Sequence, residues 1–183
     1  MLFRSMVMPE QVRFVDPLHG WVRDNDRQIA ATADGGRTWT VRELRDGYLF
    51  LRDMTFVDQS HGWALSANNG RDAAALWETT DGGRSWVVAT RFDHNADTIT
   101  VLDGRRLAVT GAWEPAVDLS EDSGRTWRRR PMPAFRAVAM VDRTTMWGFA
   151  GEERDGCLYR TTDGGETWTA RPLLNTPSCP PPS

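Results

Sequence analysis

An eight-residue pattern written four times limits the folds open to this chain more than any other feature. It reads Thr32-Ala-Asp34-Gly-Gly36-Arg-Thr38-Trp39, then Thr79-Thr-Asp81-Gly-Gly83-Arg-Ser85-Trp86. The third copy is Ser120-Glu-Asp122-Ser-Gly124-Arg-Thr126-Trp127, and the fourth is Thr161-Thr-Asp163-Gly-Gly165-Glu-Thr167-Trp168. The steps from Asp34 to Asp81, Asp122 and Asp163 are 47, 41 and 41 residues. A period in the low forties is that of a four-stranded propeller blade. The expected fold class is therefore all-β: a β-propeller of four-stranded antiparallel blades, with four blades recognisable.

A second motif precedes the first. Phe14-Val-Asp16-Pro-Leu-His-Gly20-Trp21 matches Phe56-Val-Asp58-Gln-Ser-His-Gly62-Trp63, and Met140-Val-Asp142-Arg-Thr-Thr-Met-Trp147 is a weaker copy. In the third repeat it decays to Val101-Leu-Asp103-Gly-Arg-Arg-Leu107, read as one residue shorter and lacking the Trp. An apolar strand end, a tight Asp- and Gly-containing connection and a Trp opening the next strand make a hairpin. In the eight-residue pattern, Gly36, Gly83 and Gly165 can supply a positive φ. The Asp carboxylate can accept backbone N–H groups of its own loop. The hydroxyl two residues earlier can add a contact, and the Trp can bury its ring between sheets.

This assigns structural roles to Thr32, Asp34, Gly36 and Trp39, and to Thr79, Asp81, Gly83 and Trp86. Ser120, Asp122, Gly124, Trp127, Thr161, Asp163, Gly165 and Trp168 follow. Blade limits are expected at 10–48, 49–93, 94–134 and 135–174. Strands of the second repeat are expected near Asp53–Val57, Gly62–Ser66, Ala74–Thr79 and Ser85–Thr90.

These motifs resemble the BNR or Asp-box repeat of bacterial sialidases. The pairing of the two motifs is closer still to propellers similar to the photosystem II stability and assembly factor. The resemblance covers roughly residues 10–170. It implies that the Asp box lies on the hairpin between the third and fourth strands of a blade, away from any sialidase active site. Propellers of this kind usually have six or more blades, and four are recognisable here. Residues 1–9 are expected to be a strand left from a preceding blade; by repeat spacing the remnant could extend through Arg13. A fragment of a larger propeller, a closed small ring, and a ring completed by self-association all stay open.

Composition narrows the function classes. The net charge is -3, and all 22 basic residues are Arg, spread along the chain. That favours neither nucleic acid nor an acidic membrane, which usually require a strongly basic face. No run is long and apolar enough for a membrane span. No secretory apolar region follows residues 1–8, so no signal peptide is expected, and the compartment stays open. The Pro-rich tail 175–183 is expected to be extended or disordered. Cys157 and Cys179 fit no zinc spacing; pairing is left open, and the preferred reading of Cys157 is a small buried strand residue.

Chemistry is sparse. A sialidase needs an Arg triad, a Tyr–Glu pair and an Asp acid, yet Tyr48 and Tyr159 are the two tyrosines and Tyr159 reads as a strand packer. Phe135-Arg136 is a poor echo of the family's (F/Y)-R-I-P motif. Glu114, Asp118, Glu152 and Asp155 are loop carboxylates that a two-carboxylate glycosidase could use, but solvated side chains are the preferred reading. His19 and His61 share a repeat position, and the Asp93–Asp97 segment around His94 matches no metal spacing. The stripe Arg125, Arg128, Arg129 and Arg130 is read as a charged edge strand. Trp77 and Trp113 fall outside the repeat Trp positions and are the candidate ligand or partner contacts, but burial is the preferred reading of both, the more so for Trp77, which aligns with Tyr159 four residues before a box Asp. The expected function is a non-enzymatic propeller module for protein interaction or assembly, with no catalytic residues, metal or cofactor. The alternative is a carbohydrate-active protein, either a sialidase-like hydrolase or a glycan binder.

Overall fold

The computed structural model describes residues 9–24, 27–44, 50–68, 73–111, 115–133, 135, 137–150, 156–172 and 179. Every regular element among them is a strand. Sheet 1 comprises β1 (Pro9–Phe14), β2 (Gly20–Asp24), β3 (Gln28–Thr32) and β4 (Thr40–Glu43). Sheet 2 comprises β5 (Phe50–Phe56), β6 (Gly62–Ala67), β7 (Ala74–Thr79) and β8 (Val87–Phe92). Sheet 3 holds β9 (Thr98–Val101), β10 (Leu107–Thr110), β11 (Ala116–Ser120) and β12 (Arg128–Pro131). Sheet 4 holds β13 (Ala137–Met140), β14 (Met146–Ala150), β15 (Cys157–Thr161) and β16 (Thr169–Pro172). Each sheet is a four-stranded antiparallel meander in chain order, the blade of a β-propeller. The chain divides into two compact units, residues 1–94 with sheets 1 and 2, and residues 95–183 with sheets 3 and 4.

The two inner strands of each sheet are covered on both faces, so their sequences read as short apolar runs and not as strict alternation. β6 is buried at all six positions, whereas β4 is exposed at all four. In the first unit the core gathers Trp21, Ile29, Leu51, Met54 and Trp77. The indole of Trp21 lies flat on the Phe56 ring, centroids 3.6 Å apart and planes 6° from parallel. Its Nε1 donates to the Gly82 carbonyl at 2.9 Å. Such a stack adds about 0.5–1.5 kcal/mol beyond area burial. The second unit's core gathers Val117, Met132, Phe135, Tyr159 and Trp168, with Phe135 edge-on to Trp168. Burial raises the Tyr159 phenol above its ordinary pKa, in keeping with a packing role.

Gly20 and Gly62 have a reason other than turn flexibility. Each faces the aromatic residue that ends the preceding strand, in the register pairs Phe14↔Gly20 and Phe56↔Gly62. A Cβ on Gly62 would lie 2.2 Å from the Phe56 ring, and one on Gly20 would lie 2.5 Å from Phe14. The Phe ring folds over the bare glycine backbone, which is why the two residues occur together.

Four expectations need correction. Residues 9–13 are not a leftover strand: Gln11, Val12 and Arg13 pair with β2 as the first strand of sheet 1, while residues 1–8 lie outside the described residues. In the second repeat the first strand begins at Phe50 and the last at Val87, because Ser85 and Trp86 still belong to the box loop. The third repeat's first motif is not shortened. Asp103 receives N–H groups from residues two and three positions on, as Asp16 does, which aligns Leu107 with Gly20 and Ala108 with Trp21. Lastly, Cys157 is buried in β15, but it is disulfide-bonded to Cys179 with Cα atoms 5.8 Å apart. The bridge spans 22 residues and ties position 179 to the second core.

The glycine–phenylalanine fit gives a stability prediction. Gly62→Ala should destabilise the fold by about 1–3 kcal/mol, the usual cost of overpacking. Urea unfolding followed by tryptophan fluorescence will measure it, and Phe56→Leu in the same background should return part of the loss.

Candidate functional site

Two turns at one end of each sheet carry nearly all the conspicuous side chains. The first joins strands one and two of a sheet, the second joins strands three and four. In the second turn of sheet 1, Thr38 donates to Asp34 through its backbone N–H at 2.9 Å and its hydroxyl at 2.6 Å. The Thr32 hydroxyl donates to Asp34 Oδ1 and accepts the Gly36 N–H. The same set recurs around Asp81 with Thr79, Gly83 and Ser85. It recurs around Asp122 with Ser120, Gly124 and Thr126, and around Asp163 with Thr161, Gly165 and Thr167.

Each carboxylate is thus held in its charged form. The Thr38 hydroxyl, then the Thr38 N–H, lower Asp34 from 3.8 to about 2. Ser85 does the same for Asp81 and Thr126 for Asp122, each to about 2. The Thr161 and Thr167 hydroxyls hold Asp163 lower still. A carboxylate so depressed and so fully bonded is a poor general acid or base near neutral pH.

The first turns are built alike. Asp16, Asp58, Asp103 and Asp142 each accept two backbone N–H groups from residues two and three positions on. The paired turns are then tied by one backbone hydrogen bond per sheet. Gly35 N–H donates to Leu18 O, Gly82 to Ser60 O, Ser123 to Arg105 O and Gly164 to Thr144 O, all at 2.8–2.9 Å. The donor residue has positive φ in every sheet, including Ser123 at 65°. At Gly82 a Cβ would also lie 2.7 Å from the Gln59 carbonyl oxygen.

Between the turns of sheets 1 and 2, within the first unit, lies an open cleft of about 610 Å³. Thr38, Thr40, Gln59, Ser60, Thr80 and Arg84 line it with hydroxyl, amide and guanidinium groups. Trp21 and Asp81 also reach it, but both are engaged in the packing and turn bonds already described. This cleft was not legible in the sequence, because its walls come from two repeats. A further link between sheets was legible in principle. An Arg stands three residues after the box Trp in Trp39–Arg42, Trp127–Arg130 and Trp168–Arg171. Arg42 reaches the Arg84 carbonyl at 3.2 Å, and Arg130 reaches the Glu166 carboxylate at 2.9 Å.

The other candidates fall out as follows. Trp77 takes the packing role preferred for it and not the contact role: it is 7 % exposed, its Nε1 donates to Ser66 Oγ at 2.9 Å, and its ring belongs to the first core. It offers no surface to a ligand. Trp113, Tyr48, Glu114, Arg136, Glu152 and Asp155 lie outside the described residues. Asp118 is not a loop carboxylate. It is buried on β11 and paired with Arg129 at 3.1 Å. Arg128 and Arg129 are exposed on β12, an edge strand. His19 bonds Asp16, His61 bonds Glu78 and tilts over Trp63, and His94 bonds Asp93. Among the described residues no group of three or more His, Cys, Asp or Glu is placed to hold a metal, and no helix is long and apolar enough to cross a membrane.

Comparison with known proteins gives concordant results. The family described as photosynthesis system II assembly factor YCF48 matches residues 46–176. The photosystem II assembly lipoprotein Ycf48 of Synechococcus sp. (strain CC9902) is 29% identical over 164 residues, covering 87% of this chain and 47% of the relative. The chain thus spans about half the length of that relative. A solved structure described as YCF48 bound to D1 peptide aligns with TM-score 0.58 at 16% identity, covering 93% of this chain and 84% of that one. The GH74 enzyme of Niastella koreensis aligns with TM-score 0.59 at 16% identity, covering 88% of this chain and 24% of its own. At such identities both structures show a shared propeller fold alone.

The turns generate two predictions. Thr79→Val keeps the shape but leaves the buried Gly83 N–H without its acceptor, which should cost about 1–3 kcal/mol; chemical denaturation will measure it. The acid response should follow the box carboxylates. Their pKa values are lower folded than unfolded, so their stabilisation is complete above about pH 4. It should be lost as pH falls through about 2. A pH series of thermal melts should show little change from pH 7 to 5 and a steep decline below 4.

Proposed function

The chain belongs to the photosynthesis system II assembly factor YCF48 family, and from that membership we propose that it is a non-enzymatic module that binds an extended segment of a protein partner during assembly. The cleft between the turns of sheets 1 and 2 carries this reading. Its lining offers the hydroxyl of Thr40 and the amide of Gln59, while the hydroxyls of Thr38 and Ser60, whose protons are held by Asp34 and Asp58, serve as acceptors. An extended peptide presents alternating N–H and C=O groups that such a lining can satisfy. Arg84 adds one fixed positive charge at the rim, suited to a carboxylate on the partner.

The turn chemistry supports a binding role over a catalytic one. The eight turn aspartates of the described residues accept hydrogen bonds from their own loops, which leaves them unsuited to proton transfer. The likeness to a YCF48 captured with a D1 peptide supports a peptide as the class of ligand. A glycan remains the second reading of the cleft, since hydroxyl and amide groups also bind sugars, but no carboxylate pair among the described lining residues favours hydrolysis.

Fluorescence anisotropy with a labelled D1 peptide and a scrambled control tests the proposal. Thr80→Trp, which fills the cleft from an exposed position, should weaken binding roughly tenfold or more, or about 1.4 kcal/mol. Arg105→Glu, on an exposed turn of sheet 3, should leave it unchanged. Equal binding of the scrambled peptide, indifference to Thr80→Trp, or turnover of a soluble glycan would each overturn the reading.

A further inference from the structure

The turns of sheets 3 and 4, within the second unit, enclose a smaller counterpart of the cleft between sheets 1 and 2. Its volume is about 50 Å³, against about 610 Å³. The repeat alignment gives the reason. Leu119 stands where sheet 1 has Ala31, and Met146 stands where sheet 2 has Gly62. Both line the smaller pocket. They lie 3.6 Å and 2.9 Å from a Cβ placed on Gly165, so the floor is closed. What remains has room for a few waters or one carboxylate group, and none for an extended chain or a sugar ring.

The rim has changed in charge as well as in size. Arg106 takes the position of His19, Arg143 that of Gln59 and Glu121 that of Ala33. All three line the pocket, together with Asp142. The side chain of Arg106 is 10 % exposed, yet its guanidinium makes no hydrogen bond to a described residue. Its ion-pair partner, Glu121, stands 3.6 Å away and is itself 63 % exposed. That separation is beyond hydrogen-bond reach. A guanidinium withdrawn from water needs well-placed acceptors, and one distant, solvated carboxylate does not supply them. Arg143 is exposed beside it. Asp103 lies below the ordinary carboxylate range, first through the Arg105 N–H it accepts, then through the Arg106 N–H and the charges of Arg106 and Arg143. Both cations therefore act on one place. Asp142 is already held, accepting the N–H groups of Thr144 and Thr145 and the Thr144 hydroxyl.

We propose that Arg106 and Arg143 form a binding site for a single carboxylate group, which enters by displacing Glu121 from Arg106. One carboxylate replaces another, so no buried charge is left uncompensated. The newcomer gains what Glu121 lacks: hydrogen-bond contact with the Arg106 fork, and a second cation in Arg143. With Glu121 turned out to solvent, two guanidinium groups in the lining face one carboxylate that its own turn already satisfies. The site is independent of the peptide cleft in the first unit. Charge and size select its ligand, where the larger cleft selects by length and hydrogen bonding.

Sodium acetate is the probe. Nitrogen–proton correlation spectra of the whole isotope-labelled chain are followed as acetate is added, with sodium chloride at equal ionic strength as the reference. Acetate should shift the Arg106 Nε–H and the N–H of Gly164, which lines the pocket, saturating in roughly the millimolar range. Chloride should not. Arg106→Gln should abolish the Gly164 response. Glu121→Gln should tighten binding about two- to fivefold, the worth of the exposed pair it releases, a gain that misfolding cannot imitate. Arg128→Gln, on the exposed edge strand β12, should change nothing. N-acetyl-glutamate N-methylamide as a second probe identifies the source: tighter binding than acetate assigns the site to an acidic side chain of a protein partner, equal or weaker binding to a free small carboxylate. Matching shifts with chloride, binding that survives Arg106→Gln, or no tightening in Glu121→Gln would overturn the proposal.

Discussion

One backbone hydrogen bond per sheet, from the residue after the box Asp to a carbonyl of the other turn, organises this molecule. Its geometry is nearly invariant, 2.8–2.9 Å in all four sheets, although the residues making it are Gly35, Gly82, Ser123 and Gly164. Joining the two turns fixes the register of the whole meander at one end, because strands one and two hang from one turn and strands three and four from the other. Each turn is rigid before it docks: an aspartate gathers the N–H groups of its own loop, so little conformational freedom remains to be lost. The bond also explains the need for positive φ at the donor. The N–H must turn outward from its own loop to reach the neighbouring one, and glycine reaches that backbone region without steric cost. Ser123 adopts it at a cost of about 1–2 kcal/mol, which the surrounding turn evidently offsets.

Once the turns are locked, the sheet's two faces acquire fixed and different jobs. One face offers a Trp from the second strand, and the other offers a Phe that has folded over a glycine. The Trp21–Phe56 stack within the first unit is the full expression of that complementarity. The third repeat shows how far it can be relaxed. With Ala108 in place of the Trp, the second unit fills the space by other means: Leu119 approaches Gly165, and Phe135 moves in against Tyr159 and Trp168. The clasp of Arg130 on Glu166 joins sheets 3 and 4 as that of Arg42 on the Arg84 carbonyl joins sheets 1 and 2, where the indole of Trp21 adds its own hydrogen bond.

The fold was legible in the sequence because its determinants are local. An Asp, its hydroxyl donors and the glycines beside it lie within eight residues, so four copies fix four hairpins and the number of sheets follows. What was misread or left open lay either in a turn whose motif residues are substituted or in partners far along the chain. Val101 to Ala108 looked degenerate because the Trp and the Gly are gone, yet its turn runs on Asp103 alone and survives. Trp77 stood outside both motifs, its alignment with Tyr159 pointed to packing, and the row formed with Met54 and Val88 shows what it packs against. The Cys157–Cys179 bridge was undecidable because nothing local relates β15 to position 179. The cleft between sheets 1 and 2 was illegible for the same reason, being made of two repeats' loops.

This division between local and distant determinants bears on where function can reside. The motif residues that define the family are consumed by it. Asp34, Asp81 and Asp122 are held near pKa 2 by their own hydroxyl partners, and a carboxylate so used for folding has no proton to give near neutral pH and little basicity to take one. Substituting it to gain a function would cost a turn, and with the turn the register of a sheet. Variation is cheap only where no turn bond is made, at positions such as Gln59, Thr80 and Arg84. These surround the cleft without holding it up. A binding surface built from such residues can change its partner while every repeat stays intact, whereas an active site built from the aspartates could not appear without dismantling the fold that presents it.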